Sequence, residues 1–249
     1  MRRLSPAGLG FGRCDRCPYR ETGTPSICYE CAGDSMEALS HRRCQVCDLP
    51  LTTPSCGNPI CNWEDRWFDR NHSIAMRSGV IEGAIKRYKY YDKIGWSLIF
   101  ARVLLGFLDE NREGFEDFDM ILPSPTFLDG SQGRTWHHTR RVLRDASTYA
   151  EQDWPFDLGD PPSVIKTAAT PAMAGLPWAR RNELAQTELR AALHVPDPGR
   201  TKGKAILVYD DIFTDGQTLN EVARCLRVSG GAASVSGLSL ARQPWRGRG

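Results

Sequence analysis

Residues 206–218 read Ile-Leu-Val-Tyr-Asp-Asp-Ile-Phe-Thr-Asp-Gly-Gln-Thr, and this stretch decides the fold. Three aliphatic residues and a tyrosine lead into two adjacent carboxylates, Asp210 and Asp211. A short apolar run of this kind is typical of a buried parallel strand. The apolar residues at positions 219, 222, 223 and 226 have the spacing of a helix that follows a short loop. The stretch therefore predicts a strand–loop–helix unit of an α/β protein.

The same stretch carries the residues of a candidate binding site. Open α/β sheets bind ligands at the carboxyl ends of their strands, where we expect Asp210 and Asp211 to accept hydrogen bonds from the two hydroxyls of a ribose. The loop that follows can bind a 5′-phosphate through backbone N–H groups at the start of the helix. An acid pair that only caps a helix is the alternative, but the order of strand, acids, loop and helix favours a ribose-5-phosphate site. The predicted loop residues are Thr214, Asp215, Gly216, Gln217 and Thr218.

Helical and strand patterns alternate along the rest of the chain from about residue 80. Strands are predicted at 120–122, 163–167, 205–209 and 235–240, and helices at 80–90, 94–110, 134–150, 178–193 and 219–229. This alternation favours a mostly parallel sheet. We expect Lys86, Arg87 and Lys89 to form a solvated basic cluster, and His137 and His138 to lie on the surface.

Eight of the nine cysteines lie before residue 62, and six of these form Cys-x-x-Cys pairs. Two such pairs can supply one tetrahedral thiolate site, because both sulfurs of each pair reach the same ion. The last pair has four residues between its cysteines. The predicted metal ligands are Cys14, Cys17, Cys28, Cys31, Cys44, Cys47, Cys56 and Cys61.

The simplest grouping of these ligands is sequential, with the first four on one zinc ion and the last four on another, although an interleaved grouping is also open. An iron–sulfur cluster takes four cysteines too, but the ribbon-like spacing favours zinc. A fully thiolate-bound zinc has no open coordination position, so both sites are expected to be structural. They would stabilise a segment that lacks an apolar core of its own.

Composition excludes several classes of protein. The formal net charge is only +2 and 41% of the residues are hydrophobic, so the chain can bury a core and is not a strongly basic nucleic-acid binder. No apolar run is long enough for a membrane span, and residues 1–10 lack the apolar stretch of a signal peptide. We therefore expect a cytoplasmic protein, in which clustered cysteines indicate metal binding before disulfides.

Residues 206–218 closely resemble the phosphoribosyl pyrophosphate (PRPP) signature of type I phosphoribosyltransferases. With the cysteine-rich segment, the chain resembles the ComF family, in which a double zinc ribbon precedes a phosphoribosyltransferase domain. The resemblance implies a Rossmann-like core with a parallel sheet, Asp210 and Asp211 as catalytic residues, and Mg²⁺ bound with PRPP. It also implies a pyrophosphate loop at 122–126, which includes Pro123 and Ser124.

Three positions depart from the family pattern. The Arg-Gly-Phe-Asn-Gln stretch usual in the mobile hood is replaced at 133–138, where Arg134 keeps the charge. Met173 stands where glutamine is usual. Asp215 replaces the second threonine of the usual Thr-Thr-Gly-x-Thr loop, and its carboxylate would oppose a bound phosphate unless the side chain points away.

These patterns predict a zinc-ribbon module at 1–71, a phosphoribosyltransferase-like domain at 72–242 and a disordered tail at 243–249. The first functional hypothesis is a glycosyltransferase-class enzyme that transfers phosphoribosyl from PRPP to an unidentified nitrogenous base. The second is a non-catalytic PRPP or nucleotide binder that assists DNA uptake, as the family's link to competence implies, or nucleic-acid metabolism. The third is a zinc-ribbon adaptor that binds protein or nucleic acid. The intact acid pair favours the first two.

Overall fold

Four parallel strands form the central sheet in a computed structural model of the chain, which describes residues 33, 36–90, 94–128, 136–173 and 175–245. The strands are β1 Asn71–Met76, β2 Met120–Pro123, β3 Ile165–Lys166, β4 Leu193–His194, β5 Ala205–Phe213 and β6 Ser234–Arg242. The order of strands across the sheet is β1-β6-β5-β2, so β5 and β6 lie at its centre. A separate antiparallel pair joins β3 to β4.

Residues 155–157 extend the sheet beyond β2. Phe156 forms a parallel bridge with Ile121. The N–H of Ile121 donates to Pro155 O and the N–H of Asp157 donates to Ile121 O, each over 2.8 Å. The predicted α/β class and parallel sheet are confirmed.

Helices cover both faces of the sheet. They are α1 Gly79–Tyr90, α2 Trp96–Glu110, α3 His138–Tyr149, α4 Trp178–Leu184, α5 Arg190–Ala192 and α6 Gln217–Val228, with a π-helical turn at Ala185–Leu189 that joins α4 to α5. Short 3-10 turns lie at Pro59–Asn62, Arg112–Gly114 and Pro198–Arg200. Helices α1, α2 and α3 form one hydrophobic cluster with Leu207 and Tyr209 of β5.

The opposite face carries α6 together with the described part of the cysteine-rich segment. Cys44, Cys47 and Cys61 belong to the same hydrophobic cluster as Phe213 and the buried residues of α6. This described part of the segment shares its core with the sheet and α6, and it packs directly against the sheet. Among the described residues, no helix is both long and apolar enough to cross a membrane.

Strand β1 was not predicted from the sequence. Its first three residues, Asn-His-Ser, are polar and only Ile-Ala-Met follows, yet the strand pairs along β6. The side chains of Asn71 and Ser73 are buried and bonded: Asn71 Nδ2 donates to Ser73 Oγ over 2.9 Å and to Ser239 Oγ over 3.2 Å. These bonds allow a polar sequence to enter the sheet, since a buried polar group is tolerated when it has a partner.

Strand β5 also continues further than predicted. The sequence predicts its end at Tyr209, but pairing with β6 continues to Phe213, and α6 begins at Gln217. The acid pair therefore lies within the strand near its carboxyl end. The predicted helix at 134–150 starts at His138 among the described residues, while 129–135 and 246–249 lie outside them.

We expect Leu207→Ala to lower the free energy of unfolding by about 2–5 kcal/mol, because Leu207 is fully buried on a central strand whose neighbours cannot close the cavity. Val228→Ala is the matched control, since Val228 is exposed and should change stability by less than about 0.5 kcal/mol. Urea unfolding followed by circular dichroism measures both changes. Equal effects of the two substitutions would contradict this description of the core.

Candidate functional site

The two acids of β5 have different surroundings. Asp211 is buried, and its Oδ2 lies 2.5 Å from Lys89 Nζ and 3.3 Å from His138 Nε2. Asp210 is half-buried, and its Oδ1 accepts the backbone N–H of Asp211 over 2.8 Å. Among the described residues Asp210 forms no salt bridge. Asp210 is therefore the acid of the pair that is open to a ligand.

These surroundings move the two pKa values in opposite directions. Burial and the negative charge of Asp211 raise the pKa of Asp210 to about 7. Burial alone would raise the pKa of Asp211, but the charges of Lys89 and His138 outweigh burial and hold that pKa well below its usual range. The pair therefore carries one fixed negative charge and one carboxyl that titrates near neutral pH.

Lys89 and His138 were expected at the surface, and both are largely buried against Asp211. Lys89 lies near the end of α1, eight residues after Ile81 and four after Ile85, both of which are buried. Residues four apart share a helix face, so the positions of Ile81 and Ile85 place Lys89 on the buried face of α1. This spacing is the sequence signal that could have identified it.

The predicted phosphate loop, residues 214–218, comprises the connection from β5 to α6 and the first two residues of α6. Gly216 has φ +95°, and a Cβ there would lie 2.8 Å from the ring of Phe213, so the turn requires glycine. Thr214 is exposed and Thr218 is half-buried. The first N–H groups of α6 lie here, at the positive end of the helix dipole.

Asp215 does not carry a free charge in this loop. Its buried carboxylate forms an ion pair with Arg181, with 3.0 Å between Oδ2 and Nε. Its Oδ1 accepts from Thr214 Oγ1 over 3.3 Å and from the N–H of Gln217 over 3.5 Å. The side chain is thus held inside the loop and paired with arginine, which weakens the expected repulsion of a phosphate.

The end of β2 lies beside the acid pair. Pro123 is in register with Tyr209, and the N–H of Ser124 donates to Tyr209 O over 2.8 Å. Ser124 O accepts from Thr139 Oγ1 at the start of α3, also over 2.8 Å. Pro123 and Ser124 therefore lie at the same sheet edge as Asp210.

A cleft of about 410 Å³ opens beside Pro123 and Ser124. Three basic side chains, Arg140, Arg144 and Lys166, line it together with Asp160 and several apolar residues. Arg140 is held in place by bonds from Nη2 to Leu158 O and Gly159 O. Arg141, by contrast, pairs with Asp145. Arg134 lies outside the described residues.

The second candidate site is the cysteine cluster, which we define as Cys44, Cys47, Cys56 and Cys61. Their four sulfurs all lie within 4.8 Å of one another. Cys44 Sγ is 3.6 Å from Cys61 Sγ, and Cys47 Sγ is 3.7 Å from Cys56 Sγ. For these four ligands the structure matches the sequential grouping; Cys14, Cys17, Cys28 and Cys31 lie outside the described residues.

The spacing of these sulfurs fits a single tetrahedral ion. Zn–S bonds of about 2.3 Å place the sulfurs of a tetrahedral site about 3.8 Å apart. A disulfide would need about 2.05 Å, and all four cysteines are free. A cluster of several irons would force the sulfurs further apart. The cysteine cluster can therefore hold a zinc ion.

Hydrogen bonding favours a thiolate at Cys47 in particular. Hydrogen bonds from the other three cysteines, helped by the charge of Arg242, hold the pKa of Cys47 well below its usual range against the effect of burial. The same interactions raise the pKa values of Cys56 and Cys61. Cys225 is separate from the cluster and buried on α6, as expected of a small apolar residue.

We expect Cys47→Ser to lower the zinc content of the purified full-length chain by one ion, because the remaining three thiolates cannot complete the tetrahedral site. Cys225→Ser is the matched control and should leave the zinc content unchanged. Elemental analysis by mass spectrometry measures both. An unchanged zinc content in Cys47→Ser would contradict a metal site at this cluster.

The raised pKa of Asp210 predicts a pH-dependent stability. An aspartate in the unfolded chain releases its proton near pH 4, whereas folded Asp210 keeps it to about pH 7, so stability is lost as the pH rises through this window. As the pH rises from 5 to 8, we expect the free energy of unfolding of Asp210→Asn to increase by about 1–3 kcal/mol relative to that of the parent. Urea unfolding at the two pH values measures this change. The opposite contribution of Asp211 changes only below about pH 4.

Asp153→Asn is the control for this experiment, because Asp153 is exposed. It should show the pH dependence of the parent. If the free energy of unfolding changes by the same amount between pH 5 and pH 8 in the parent and in Asp210→Asn, the raised pKa of Asp210 is ruled out.

No protein-family model matches the chain, and no curated protein matches it. The resemblance of residues 206–218 to a PRPP signature therefore remains a prediction from the sequence. Any assignment of function depends on the geometry of the acid pair, the phosphate loop and the basic cleft.

Proposed function

We propose that the chain has a type I phosphoribosyltransferase fold of the ComF kind, binds PRPP with Mg²⁺ and transfers its phosphoribosyl group to a nitrogenous base. The observation that carries this proposal is the meeting of three features at one sheet edge. Asp210 is open to ribose hydroxyls, the loop 214–218 presents a helix N-terminus, and Ser124 borders a basic cleft.

Each feature suits one part of PRPP. The carboxylate of Asp210 can accept hydrogen bonds from the ribose diol. Backbone N–H groups at the start of α6 can bind the 5′-phosphate, and the ion pair of Asp215 with Arg181 removes a charge that would oppose it. The cleft beside Ser124, with Arg140 and Lys166, suits the pyrophosphate.

The donor set is also compatible with Mg²⁺. His138, Asp210 and Asp211 place their ligand atoms within 4.8 Å of one another, but Lys89 already neutralises Asp211. Asp210 is thus the hard oxygen ligand available to an ion that arrives on the diphosphate. Bound there, Mg²⁺ would neutralise the charge of the departing pyrophosphate.

The work of the protein in such a transfer is positioning and charge stabilisation. The bond between C1 of the ribose and the pyrophosphate oxygen breaks, a C1–N bond to the base forms, and the base nitrogen gives its proton to the departing pyrophosphate or to water. Asp210 would hold the ribose while the ring gains positive charge. Arg140 would stabilise the pyrophosphate as it leaves.

A non-catalytic PRPP or nucleotide binder is the second candidate. The observation that favours it is the engagement of Asp211 by Lys89 and His138, which leaves a single carboxylate for the ribose. Binding requires only the loop and Asp210. Turnover also requires a residue set that recognises the base.

We expect the parent protein to bind PRPP with Mg²⁺ in isothermal titration, and Asp210→Asn to bind it about tenfold more weakly or worse, since a hydrogen bond to a charged group is lost. Asp210 is the better target because replacing Asp211 would leave the buried Lys89 unpaired. Asp153→Asn should bind as the parent does.

The absence of binding by the parent protein would overturn both candidates. Pyrophosphate release with a member of a panel of nitrogenous bases would support the transferase. Binding without release across the panel would leave the non-catalytic binder.

A further inference from the structure

Arg242, the last residue of β6, lies completely buried between the cysteine cluster and the phosphate loop. Its Nε donates to Cys47 O over 2.6 Å, and its Nη2 donates to Cys47 Sγ over 3.4 Å. One edge of the guanidinium thus donates to both the backbone and the sulfur of Cys47, a predicted metal ligand.

The other end of the same guanidinium contacts the start of the phosphate loop. Its Nη1 donates to Thr214 O over 2.6 Å and to Phe213 O over 3.3 Å. The ring of Phe213 lies 5.0 Å from the guanidinium carbon. Because the guanidinium is planar and rigid, a shift of Cys47 is passed to the carbonyls at which the loop begins.

Asn58 provides a second connection between the two sites. It lies between Cys56 and Cys61 in the sequence, is completely buried, and donates from Nδ2 to Asp215 O over 3.3 Å. Its Oδ1 accepts from the N–H of Ile60 over 3.4 Å. Ile60 in turn packs close to Gly216: a Cβ added to Gly216 would lie 3.4 Å from the Cγ2 methyl group of Ile60.

Metal binding changes what these two residues contact. Four thiolates held by one ion keep Cys47 and the segment up to Cys61 in a fixed geometry. Without the ion, no bond ties Cys44 and Cys47 to Cys56 and Cys61, so the segment that carries Cys47 and Asn58 is held less tightly. Arg242 and Asn58 then anchor the loop to a more mobile support.

We propose that Arg242 and Asn58 position the phosphate loop against the cysteine cluster, so that metal binding at the cluster and phosphate binding at the loop strengthen each other. The ligand half of this proposal rests on the proposed function of the loop. Reciprocity is required by linkage: if metal raises phosphate affinity, phosphate raises metal affinity by the same factor. Couplings between sites are typically about 5- to 150-fold.

The first test uses the parent protein and needs no ligand. Hydrogen exchange followed by mass spectrometry compares residues 213–218 in the zinc-loaded chain and after chelation. We expect faster exchange in the loop after chelation, with helix α2 on the opposite face unchanged as an internal control. Unchanged exchange in the loop, or equal acceleration in α2, would overturn the proposal.

The second test measures the coupling itself with ribose 5-phosphate as the probe. We expect the zinc-loaded parent to bind it at least fivefold more tightly than the chelated parent, and the probe to slow zinc release to a chromogenic chelator. Equal affinities in the two metal states would overturn the coupling. If the zinc-loaded parent fails to bind the probe, the proposed function of the loop fails, while the exchange experiment still decides the structural connection.

Arg242→Lys tests whether the coupling depends on the hydrogen bonds of the guanidinium to both sites or only on its positive charge. Lysine keeps the positive charge but cannot span both sites with one planar group, so the difference in affinity between metal states should fall towards onefold. Arg227→Lys is the matched control, because Arg227 pairs with Asp69 outside both sites. An undiminished coupling in folded Arg242→Lys would exclude Arg242 as the positioning residue.

Discussion

The burial of the Arg242 guanidinium is the constraint on which much of the structure depends. A buried charge costs several kcal/mol unless its donors are satisfied, and here carbonyls from Cys47, Phe213 and Thr214 accept from it. These acceptors come from the cysteine-rich segment, the end of β5 and the loop before α6. All three must be in place for the charge to be tolerated. The arginine therefore fixes the cysteine segment against the carboxyl edge of the sheet.

The two faces of the sheet contribute different parts of the candidate site. Helices α1 and α3, on one face, bring Lys89 and His138 to Asp211 and leave Asp210 open. The opposite face supports the phosphate loop. Asn58 holds Asp215 O, and Asn220 accepts the N–H of Trp67 over 2.8 Å, so the segment that follows the cysteines is bonded to the first turns of α6. The candidate site thus lies at the carboxyl ends of the strands, where two separately packed layers meet.

The prediction from sequence succeeded where local pattern and burial agree. The apolar run before Asp210 and the helix after Gly216 follow from spacing alone. Spacing favoured the sequential grouping of the cysteines but left an interleaved one open, and the structure brings Cys44 and Cys61 together. It failed for β1, because the buried side chains of Asn71 and Ser73 bond to each other and to Ser239 of β6, which local pattern does not reveal. It also failed for Lys89. Helical spacing can place this lysine on the buried face of α1, but it does not reveal that Asp211 of β5 is its partner.

By itself, the sequence determined the α/β class, the location of the acid pair and of the loop at 214–218, and a cysteine cluster with the ligand spacing of a metal site. Local order along the chain encodes each of these. Only the tertiary structure decided that Asp210 and Asp211 differ in charge, that Asp215 is neutralised by Arg181, and that the cysteine cluster adjoins the loop through Arg242. These properties depend on residues far apart in sequence, since electrostatic environment and burial are set by whichever elements pack together.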